Sequence, residues 1–291
     1  MQDNIMKLHD GRNLGFSEYG KVDGIPLLLF HGTPGSRIFK LLENASWIEK
    51  FGIRVIAPER PGYGLSDPAP GQEIKDWASD VEELSGYLSL GRFHVAGGSG
   101  GGPYALACAI HSPARVLSAT LFASGGPPEV MLLSKDMQSG NRIAFFAARY
   151  APFLLKGLLA NYANGVKKHP EKYLAKMISQ MPEWDKRLRE NQSGEHTTLH
   201  LKEAFQQGVE GAYRDMLLVS RPWHLDLDKI AVPVFIWHGT ADTMVPISSV
   251  REFSKLIPRC EPHFIPSAGH QLLGSEEVCS QMIARILSVS A

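Results

Sequence analysis

Short apolar runs alternate along most of the chain with longer segments in which apolar residues recur at helical spacing. Such runs are typical of parallel strands that helices cover on both faces. The clearest runs, rich in Leu, Ile, Val and Phe, are 26–30, 53–57, 93–96, 116–122 and 232–237. Between the second and third runs, apolar residues recur every three or four positions from Ile74 to Leu88, which predicts a helix with one face against the sheet. The pattern therefore predicts an α/β fold with a mostly parallel sheet.

The beginning of the chain carries a different signal. Two apolar segments, 5–8 and 14–19, flank the pair Asp10-Gly11. An Asp-Gly pair between apolar segments favours a tight hairpin turn. We therefore expect an antiparallel edge on the otherwise parallel sheet.

From about residue 127 to residue 222 the alternation stops, and aromatic, Leu, Lys and Glu residues fall in several helical stretches. Strand signals resume only at Val232. An all-helical insertion between two halves of an α/β sheet has to lie on the sheet rather than in it. We predict an α/β core formed by 1–127 and 223–291, and a helical cap formed by 128–222.

Charge and composition narrow the possible partners. The 30 Lys and Arg residues balance the 30 Asp and Glu residues of the 291-residue chain, and no long block of like charge occurs. This balance argues against nucleic acid and anionic membrane surfaces as partners. The first residues lack a secretory signal, and no apolar run has the length of a membrane span, so we expect a cytoplasmic protein. Its oligomeric state stays open.

The three cysteines, Cys108, Cys260 and Cys279, are odd in number and widely separated. They form neither a disulfide framework nor a zinc-ligand cluster, so we interpret them as reduced packing residues.

The strongest chemical motif is Gly97-Gly98-Ser99-Gly100-Gly101, which follows the run 93–96 and precedes a helical run that begins at Pro103. This is G-x-S-x-G between a strand and a helix, the context in which a serine stands on a sharp, strained turn. The small neighbours let the turn form, and the helix N-terminus offers free N–H groups to negative charge. A dinucleotide-binding loop is disfavoured because G-x-G-x-x-G is absent. We interpret Ser99 as a nucleophile.

With this motif in place, the chain resembles the α/β-hydrolase fold superfamily, in its serine-nucleophile branch with a helical cap. The segments His31-Gly32-Thr33-Pro34-Gly35 and Arg60-Pro61-Gly62-Tyr63-Gly64-Leu65-Ser66 resemble two strand-end loops of that family. The resemblance implies an eight-stranded, mostly parallel sheet. It also implies an oxyanion hole formed by the backbone N–H groups of Thr33 and Gly100.

Two positions depart from the family pattern. Glu59 stands where the second loop usually has Asp, which we interpret as a structural variation. Gly98 and Gly100 flank the nucleophile where the family often has a bulky or polar side chain, so the usual clues to the subtype are missing.

A serine hydroxyl needs a base to take its proton and a third group to orient that base. Asp242 lies just beyond the run 232–237, and His270 lies just beyond a run at 261–265. The chain order Ser99, Asp242, His270 is the one expected for α/β-hydrolases. Taken singly, Asp242 also fits a helix cap and His270 an ordinary loop histidine. Together they predict a catalytic triad.

Other polar residues fit this chemistry less well. Asp226 and Asp228 precede their strand, and His238 and His263 lie close to strand bodies, where packing is the better interpretation. A serine at the elbow also argues against haloalkane dehalogenase and epoxide hydrolase chemistry, which the family carries on an aspartate. The mechanism requires no metal or other cofactor, and no metal-ligand cluster is visible in the sequence.

We therefore expect a serine hydrolase, carboxylesterase-like, that cleaves an ester or related acyl bond of a small, largely apolar substrate through an acyl-enzyme. Phe146 and Tyr150, in an aromatic and Leu-rich segment of the cap, are the expected pocket residues, although helical spacing fits packing equally well. Two alternatives remain. One is an aminopeptidase similar to proline iminopeptidases, in which Glu183, Glu203 or Glu210 holds a substrate ammonium; the other is a ligand sensor with a slow triad.

Overall fold

The computed structural model describes residues 2–131, 136–190 and 194–289. Its centre is an eight-stranded sheet with the strand order β1-β2-β4-β3-β5-β6-β7-β8. The strands are β1 Gln2–Lys7, β2 Asn13–Gly20, β3 Ile25–Phe30, β4 Ile53–Pro58, β5 Phe93–Gly98, β6 Val116–Phe122, β7 Val234–Gly239 and β8 Cys260–Ile265.

The predicted mixture of strand directions is confirmed. β2 runs antiparallel to β1 and to β4, while the six strands from β3 to β8 pair in parallel. Gly11, in the turn between β1 and β2, has φ +89°, a value that glycine adopts without a steric penalty. Because parallel strands all end at one edge, the loops after β3, β4, β5, β7 and β8 meet there.

Twelve α-helices accompany this sheet in the described part of the chain. They are α1 Ser46–Phe51, α2 Trp77–Tyr87, α3 Gly102–His111, α4 Pro128–Met131, α5 Ser139–Tyr150, α6 Pro152–Lys168, α7 Pro170–Ser179, α8 Glu183–Glu190, α9 Gly194–Ala204, α10 Glu210–Val219, α11 Ile247–Ser254 and α12 Glu276–Leu287. Short 3-10 helices lie at Lys40–Leu42, Ile74–Asp76, Ser99–Gly101, Leu227–Lys229 and Leu272–Gly274. The helix predicted from Ile74 is thus a 3-10 turn that continues into α2. No helix in these described ranges is long and apolar enough to cross a membrane.

The helices α4 to α10 all lie between β6 and β7, and no strand occurs among the described residues of that segment. We call the segment 128–222 the helical segment. The sequence pattern predicts helices and no strands between the two halves of the sheet, and the described residues of this segment agree with that prediction.

The sheet separates two apolar clusters. Leu28 and Phe30 face one side, where Trp77 of α2 packs edge-on against Phe30 with ring centroids 5.6 Å apart. Leu27 and Leu29 face the other side, where α1 and α12 pack. Alternate residues of one strand point to opposite faces, so a strand covered on both faces is apolar throughout. This burial explains why the strands appear in the sequence as continuous apolar runs.

The loop after β4 is held by Glu59, whose side chain is fully buried. Its carboxylate accepts hydrogen bonds from the backbone N–H of Leu65 at 2.7 Å and from the Arg37 guanidinium at 3.0 Å. Burial raises the pKa of Glu59, although Arg37 opposes that rise. Glu59 is therefore a structural anchor for the loops after β3 and β4.

Replacing Glu59 by Ala should destabilise the fold by about 3–5 kcal/mol, because it leaves the Arg37 guanidinium buried without one of its main partners. Urea denaturation followed by circular dichroism measures the effect. Glu252→Ala, which removes an exposed carboxylate paired with Lys255, is the matched control and should leave the midpoint nearly unchanged. A Glu59→Ala midpoint equal to that of the control would contradict this role.

Candidate active site

Ser99 occupies a sharp turn between β5 and α3. Its backbone has φ +49°, in the left-handed region that non-glycine residues rarely adopt. Strained residues of this kind cluster at functional sites, where the surrounding structure holds them in place. The turn leaves the Ser99 side chain half-buried at the carboxyl edge of the sheet.

The glycines beside Ser99 are required by close packing. A Cβ atom at Gly98 would lie 2.4 Å from the Phe122 ring, and one at Gly100 would lie 2.4 Å from the Thr33 hydroxyl oxygen. Neither position has room for a side chain. The departures from the family pattern at Gly98 and Gly100 therefore reflect the nearness of β6 and of the loop after β3.

The same closeness brings Thr33 beside the turn. A Cβ atom built on Gly100 would lie 3.4 Å from the Thr33 backbone nitrogen, so the two backbones are neighbours. Gly100 belongs to the 3-10 turn Ser99–Gly101, and the first N–H groups of a helical turn have no acceptor within the turn. Two backbone donors thus lie next to Ser99.

His270 and Asp242, from the loops after β8 and β7, form a close pair. The His270 Nδ1 and the Asp242 Oδ2 are 2.7 Å apart, and the side chains are 11% and 0% exposed. Burial would lower the pKa of His270, but the charge and hydrogen bond of Asp242 raise it above the ordinary value. Burial would likewise raise the pKa of Asp242, but His270 lowers it. The pair is therefore arranged to stabilise an imidazolium.

Asp242 is held by further contacts. Its Oδ1 accepts the backbone N–H groups of Met244 at 2.8 Å and Val245 at 3.0 Å. The His238 Nε2 lies 3.5 Å from the Asp242 Oδ2 and 2.8 Å from the carbonyl oxygen of Val245. Burial lowers the pKa of His238, so this ring packs as a neutral group behind the carboxylate.

The loop that carries His270 is held from the helical segment by Asp185 of α8. Its carboxylate accepts the backbone N–H of His270 at 2.9 Å and that of Gln271 at 3.1 Å. Burial raises the pKa of Asp185. A Cβ atom at Gly269 would lie 2.3 Å from this carboxylate, so the contact also requires a glycine. Asp185 carries no distinguishing signal in the sequence, because an acidic residue in the first turn of a helix is ordinary.

Ser99 and His270 line the same cavity, of about 180 Å³. Among the described residues no hydrogen bond joins the Ser99 hydroxyl to the His270 ring. In the absence of substrate such hydrogen bonds are often long and tighten when substrate binds. Two of the predicted triad residues, Ser99 and His270, therefore border one cavity, and the third, Asp242, lies behind His270 in contact with its ring.

A second, smaller cavity of about 90 Å³ lies on the other side of Ser99. Thr33 and Gly100 line this cavity, whereas His270 lines the larger one. The helical segment contributes to both cavities. It supplies Met131, Asn141, Phe145, Met216 and Val219 to the smaller cavity and Leu188, Arg189, Thr197 and His200 to the larger one.

Phe146 and Tyr150 lie elsewhere. Each is 62% exposed, and their rings contact each other with centroids 4.8 Å apart. Neither lines a cavity beside Ser99, whereas Phe145 does. Successive residues of a helix point about 100° apart, so one face of α5 turns Phe145 inwards and Phe146 to solvent. The structure therefore does not bring the two expected pocket residues to Ser99.

A buried carboxylate joins the helical segment to the loops around Ser99. Asp215 of α10 accepts the Thr33 hydroxyl at 2.9 Å, the Arg60 Nε at 3.0 Å and the Tyr63 hydroxyl at 2.9 Å, and it also accepts the Tyr104 hydroxyl. The Arg60 and Asp215 side chains are 1% and 5% exposed. Asp215 therefore holds the Thr33 side chain in place through a hydrogen bond from the helical segment. Helical periodicity in the sequence does not reveal this role.

The acidic residues considered for an ammonium site are all paired. Glu203 lies against Arg37, Glu183 against Lys186 at 2.7 Å, and Glu210 against Lys156 at 2.7 Å. None of the three lines a cavity beside Ser99.

The other polar residues weighed in the sequence also lie away from Ser99. Asp226 pairs with exposed Lys229, and the His263 ring stacks on Trp237 at 4.1 Å. Within the described ranges, no three His, Cys, Asp or Glu side chains are grouped so that they could hold a metal.

Comparison with known proteins agrees with this architecture. Residues 25–276 match the family model of the alpha/beta hydrolase fold. The chain therefore belongs to the α/β-hydrolase fold family, which supports a hydrolase enzyme that acts on a small molecule.

Individual relatives differ in activity. The chain is 30% identical over 251 residues to a non-heme chloroperoxidase of Streptomyces lividans, a match covering 81% of each chain. It is 24% identical to a proline iminopeptidase of Xanthomonas citri, over 95% of this chain and 93% of the relative. The structure of a thermophilic esterase from Thermogutta terrifontis superposes over 100% of both chains with a TM-score of 0.68 and 22% identity. At that identity the superposition shows the fold alone.

The pKa of His270 should fall when Asp242 is replaced by Asn, because the substitution removes the negative charge that raises it and leaves the effect of burial. Titration of the imidazole NMR signals measures this change. His94, whose pKa burial lowers to about 4, is the internal control and should titrate as before. If the His270 titration were the same in both proteins, the charge of Asp242 would not be what sets its protonation.

Proposed function

We propose that the protein is a serine hydrolase that cleaves a carboxylic ester, with Ser99 as nucleophile, His270 as general base and Asp242 as the orienting acid. One observation carries the proposal: His270, paired with the buried Asp242, borders the same cavity as the strained Ser99. A carboxylate that holds an imidazole beside a strained, half-buried serine is the arrangement that nucleophilic acyl transfer requires.

In the first half-reaction, His270 takes the Ser99 hydroxyl proton as the oxygen attacks the ester carbonyl carbon. The resulting oxyanion is stabilised by the backbone N–H groups of Thr33 and Gly100. Asp242 accepts the His270 Nδ1–H throughout and stabilises the imidazolium. The tetrahedral intermediate then collapses. The bond to the leaving oxygen breaks, His270 gives that oxygen its proton, and the acyl group stays on Ser99.

In the second half-reaction, a water molecule gives one proton to His270 and attacks the acyl carbon. Collapse of this second intermediate returns the proton to the Ser99 oxygen and releases the carboxylic acid. Atoms balance without an oxidant, a reductant or a cofactor. Apart from the attacking water, Ser99 and His270 supply every proton donor and acceptor that the reaction uses.

The two cavities indicate where the alcohol portion and the acyl portion of the ester bind. The leaving oxygen must face His270 to receive its proton, and His270 lines the larger cavity but not the smaller one. We assign the alcohol portion to the larger cavity. The acyl portion then takes the smaller, mainly apolar cavity, which Thr33 and Gly100 border.

We also propose that the helical segment 128–222 acts as a cap that selects the substrate. Its residues line both cavities, and its Asp215 and Asp185 contact the loops that carry the oxyanion donors and the base. In this view the sheet loops supply the chemistry and the cap limits which esters reach it.

The aminopeptidase alternative is supported by the 24% identity to a proline iminopeptidase. An aminopeptidase needs a free carboxylate near the cleaved bond to hold the substrate ammonium. Because Glu183, Glu203 and Glu210 are each paired with a cation, the geometry favours the ester. A ligand sensor with a slow triad is distinguished by steady-state turnover, which only an enzyme sustains.

Replacing Ser99 by Ala should abolish ester turnover and labelling by a fluorophosphonate while leaving the fold intact, because only the attacking oxygen is lost. Triad losses in subtilisin, about a millionfold in kcat, set the scale. Hydrolysis of p-nitrophenyl acetate and gel-based detection of a fluorescent fluorophosphonate measure the two effects.

Ser85→Ala is the matched control, since Ser85 is buried and its hydroxyl donates only to the Glu82 carbonyl oxygen of the same helix. The assignment of Ser99 fails if a folded Ser99→Ala protein keeps more than a small fraction of the control's turnover.

Truncating Phe145 to Ala should change the preferred acyl chain length, because it enlarges the smaller cavity. Loss of apolar pocket contact costs on the order of 1–3 kcal/mol in kcat/KM on the best substrate. The neighbour Phe146, which is exposed, provides the matched control Phe146→Ala. A series of p-nitrophenyl esters from acetate to octanoate measures the order. An identical order in both variants would remove Phe145 from the acyl pocket.

A further inference from the structure

Arg189 of α8 has an unusual position in the larger cavity. Its guanidinium donates to the Gln271 side-chain oxygen at 3.0 Å and to the Thr197 hydroxyl. Its Nε is buried and has no hydrogen-bond partner among the described residues. Because a guanidinium carries five N–H donors, these two contacts also leave one N–H on each terminal nitrogen for another acceptor.

The charge of Arg189 is only partly offset by the carboxylates that the structure describes. Among the side chains that the structure describes, none forms an ion pair with it, and the nearby Asp185 is committed to the backbone N–H groups of His270 and Gln271. Burial lowers the pKa of Arg189, and the charge of Asp185 offsets this only in part. Charges that are partly removed from water are usually paired, so this guanidinium is a candidate partner for an anionic group.

The other residues that line the larger cavity are mostly apolar or uncharged. Within the described chain, neither Lys nor any acidic residue lines the cavity, and Arg189 is its only permanent cation. His200, which also lines it, is neutral at physiological pH because burial lowers its pKa. Most other lining residues are apolar: Phe30, Ile38, Phe39, Leu41, Phe122, Ala123, Leu188, Leu272 and Leu273. The cavity therefore combines apolar walls with one cationic fork.

We propose that Arg189 binds a carboxylate carried by the alcohol portion of the ester, so that the natural substrates are esters of apolar or aromatic hydroxy acids. The inference rests on the proposed function, since it places the alcohol portion on the His270 side of Ser99. A planar guanidinium matches a carboxylate with two parallel hydrogen bonds. Apolar residues around the guanidinium lower the local dielectric, which strengthens that contact.

The test compares 4-acetoxybenzoate with its neutral methyl ester, methyl 4-acetoxybenzoate. The two share the acetyl group and the aromatic ring and differ in the distal charge. Wild-type protein should prefer the anionic ester in kcat/KM. Arg189→Gln should lower kcat/KM for the anionic ester about 10- to 100-fold and change that for the neutral ester less than about threefold, as expected for loss of a charge-assisted contact.

Arg187→Gln is the matched control. It removes the same charge from an exposed position two residues away on the same helix and should leave the preference unchanged. Arg189→Lys keeps the charge but loses the fork, and should recover only part of the preference. It also serves as the test variant if Arg189→Gln does not fold.

Calorimetric binding of 4-acetoxybenzoate to the Ser99→Ala protein, with and without Arg189→Gln, gives a readout that does not depend on turnover. Loss of binding in the double variant supports the anion site. If wild type hydrolyses both esters and the Arg189 and Arg187 variants behave alike, the role of Arg189 is overturned while the proposed function stands. If neither ester is hydrolysed and fluorophosphonate does not label Ser99, the proposed function fails, and the binding experiment alone decides the role of Arg189.

Discussion

The buried carboxylate of Asp215 connects segments that are far apart in the sequence. It accepts hydrogen bonds from the loops after β3 and β4, through Thr33, Arg60 and Tyr63, and from Tyr104 on α3. A buried carboxylate is costly unless its lone pairs are satisfied, so these donors and the helix that carries Asp215 must assemble together. The position of the helical segment over the sheet, and of Thr33 beside Ser99, both depend on this cluster.

A second carboxylate from the same segment acts on the base. Asp185 accepts two backbone N–H groups of the His270 loop, whereas Asp242 accepts the ring itself. The division separates two tasks, because Asp185 positions the backbone and Asp242 sets the protonation of the imidazole. The α/β core thus carries Ser99, Asp242 and His270, and the helical segment contacts the loops of Thr33 and His270. In the proposed function, substrate selection and catalytic geometry are linked through the same helices.

The space around Ser99 is shaped by close packing and by charge. Gly98 and Gly100 leave no room for side chains, so the neighbouring backbone approaches the strained turn closely and the two cavities open on either side of it. One cavity is mainly apolar, and the other has Arg189 as the single permanent cation among its described lining residues. A half-buried charge beside apolar residues discriminates between ligands more strongly than a fully exposed one, because water screens it less.

Local patterns were sufficient for the fold. Apolar runs predict the strands, the Asp10-Gly11 pair predicts the hairpin turn, and the glycines around Ser99 predict the sharp turn there. Each of these features depends on residues that are adjacent in sequence. The chain order of Ser99, Asp242 and His270 likewise followed from strand ends, since parallel strands end at one edge.

The contacts of the helical segment could not be predicted from local sequence patterns. Asp185, Arg189 and Asp215 occupy ordinary helix positions in the sequence, and Phe145 and Phe146 are indistinguishable by composition. Which of them faces the site depends on how each helix is rotated and docked, and that is set by partners more than a hundred residues away for Asp215 and about eighty for Asp185. Periodicity identifies an apolar face of a helix but does not name the surface that covers it.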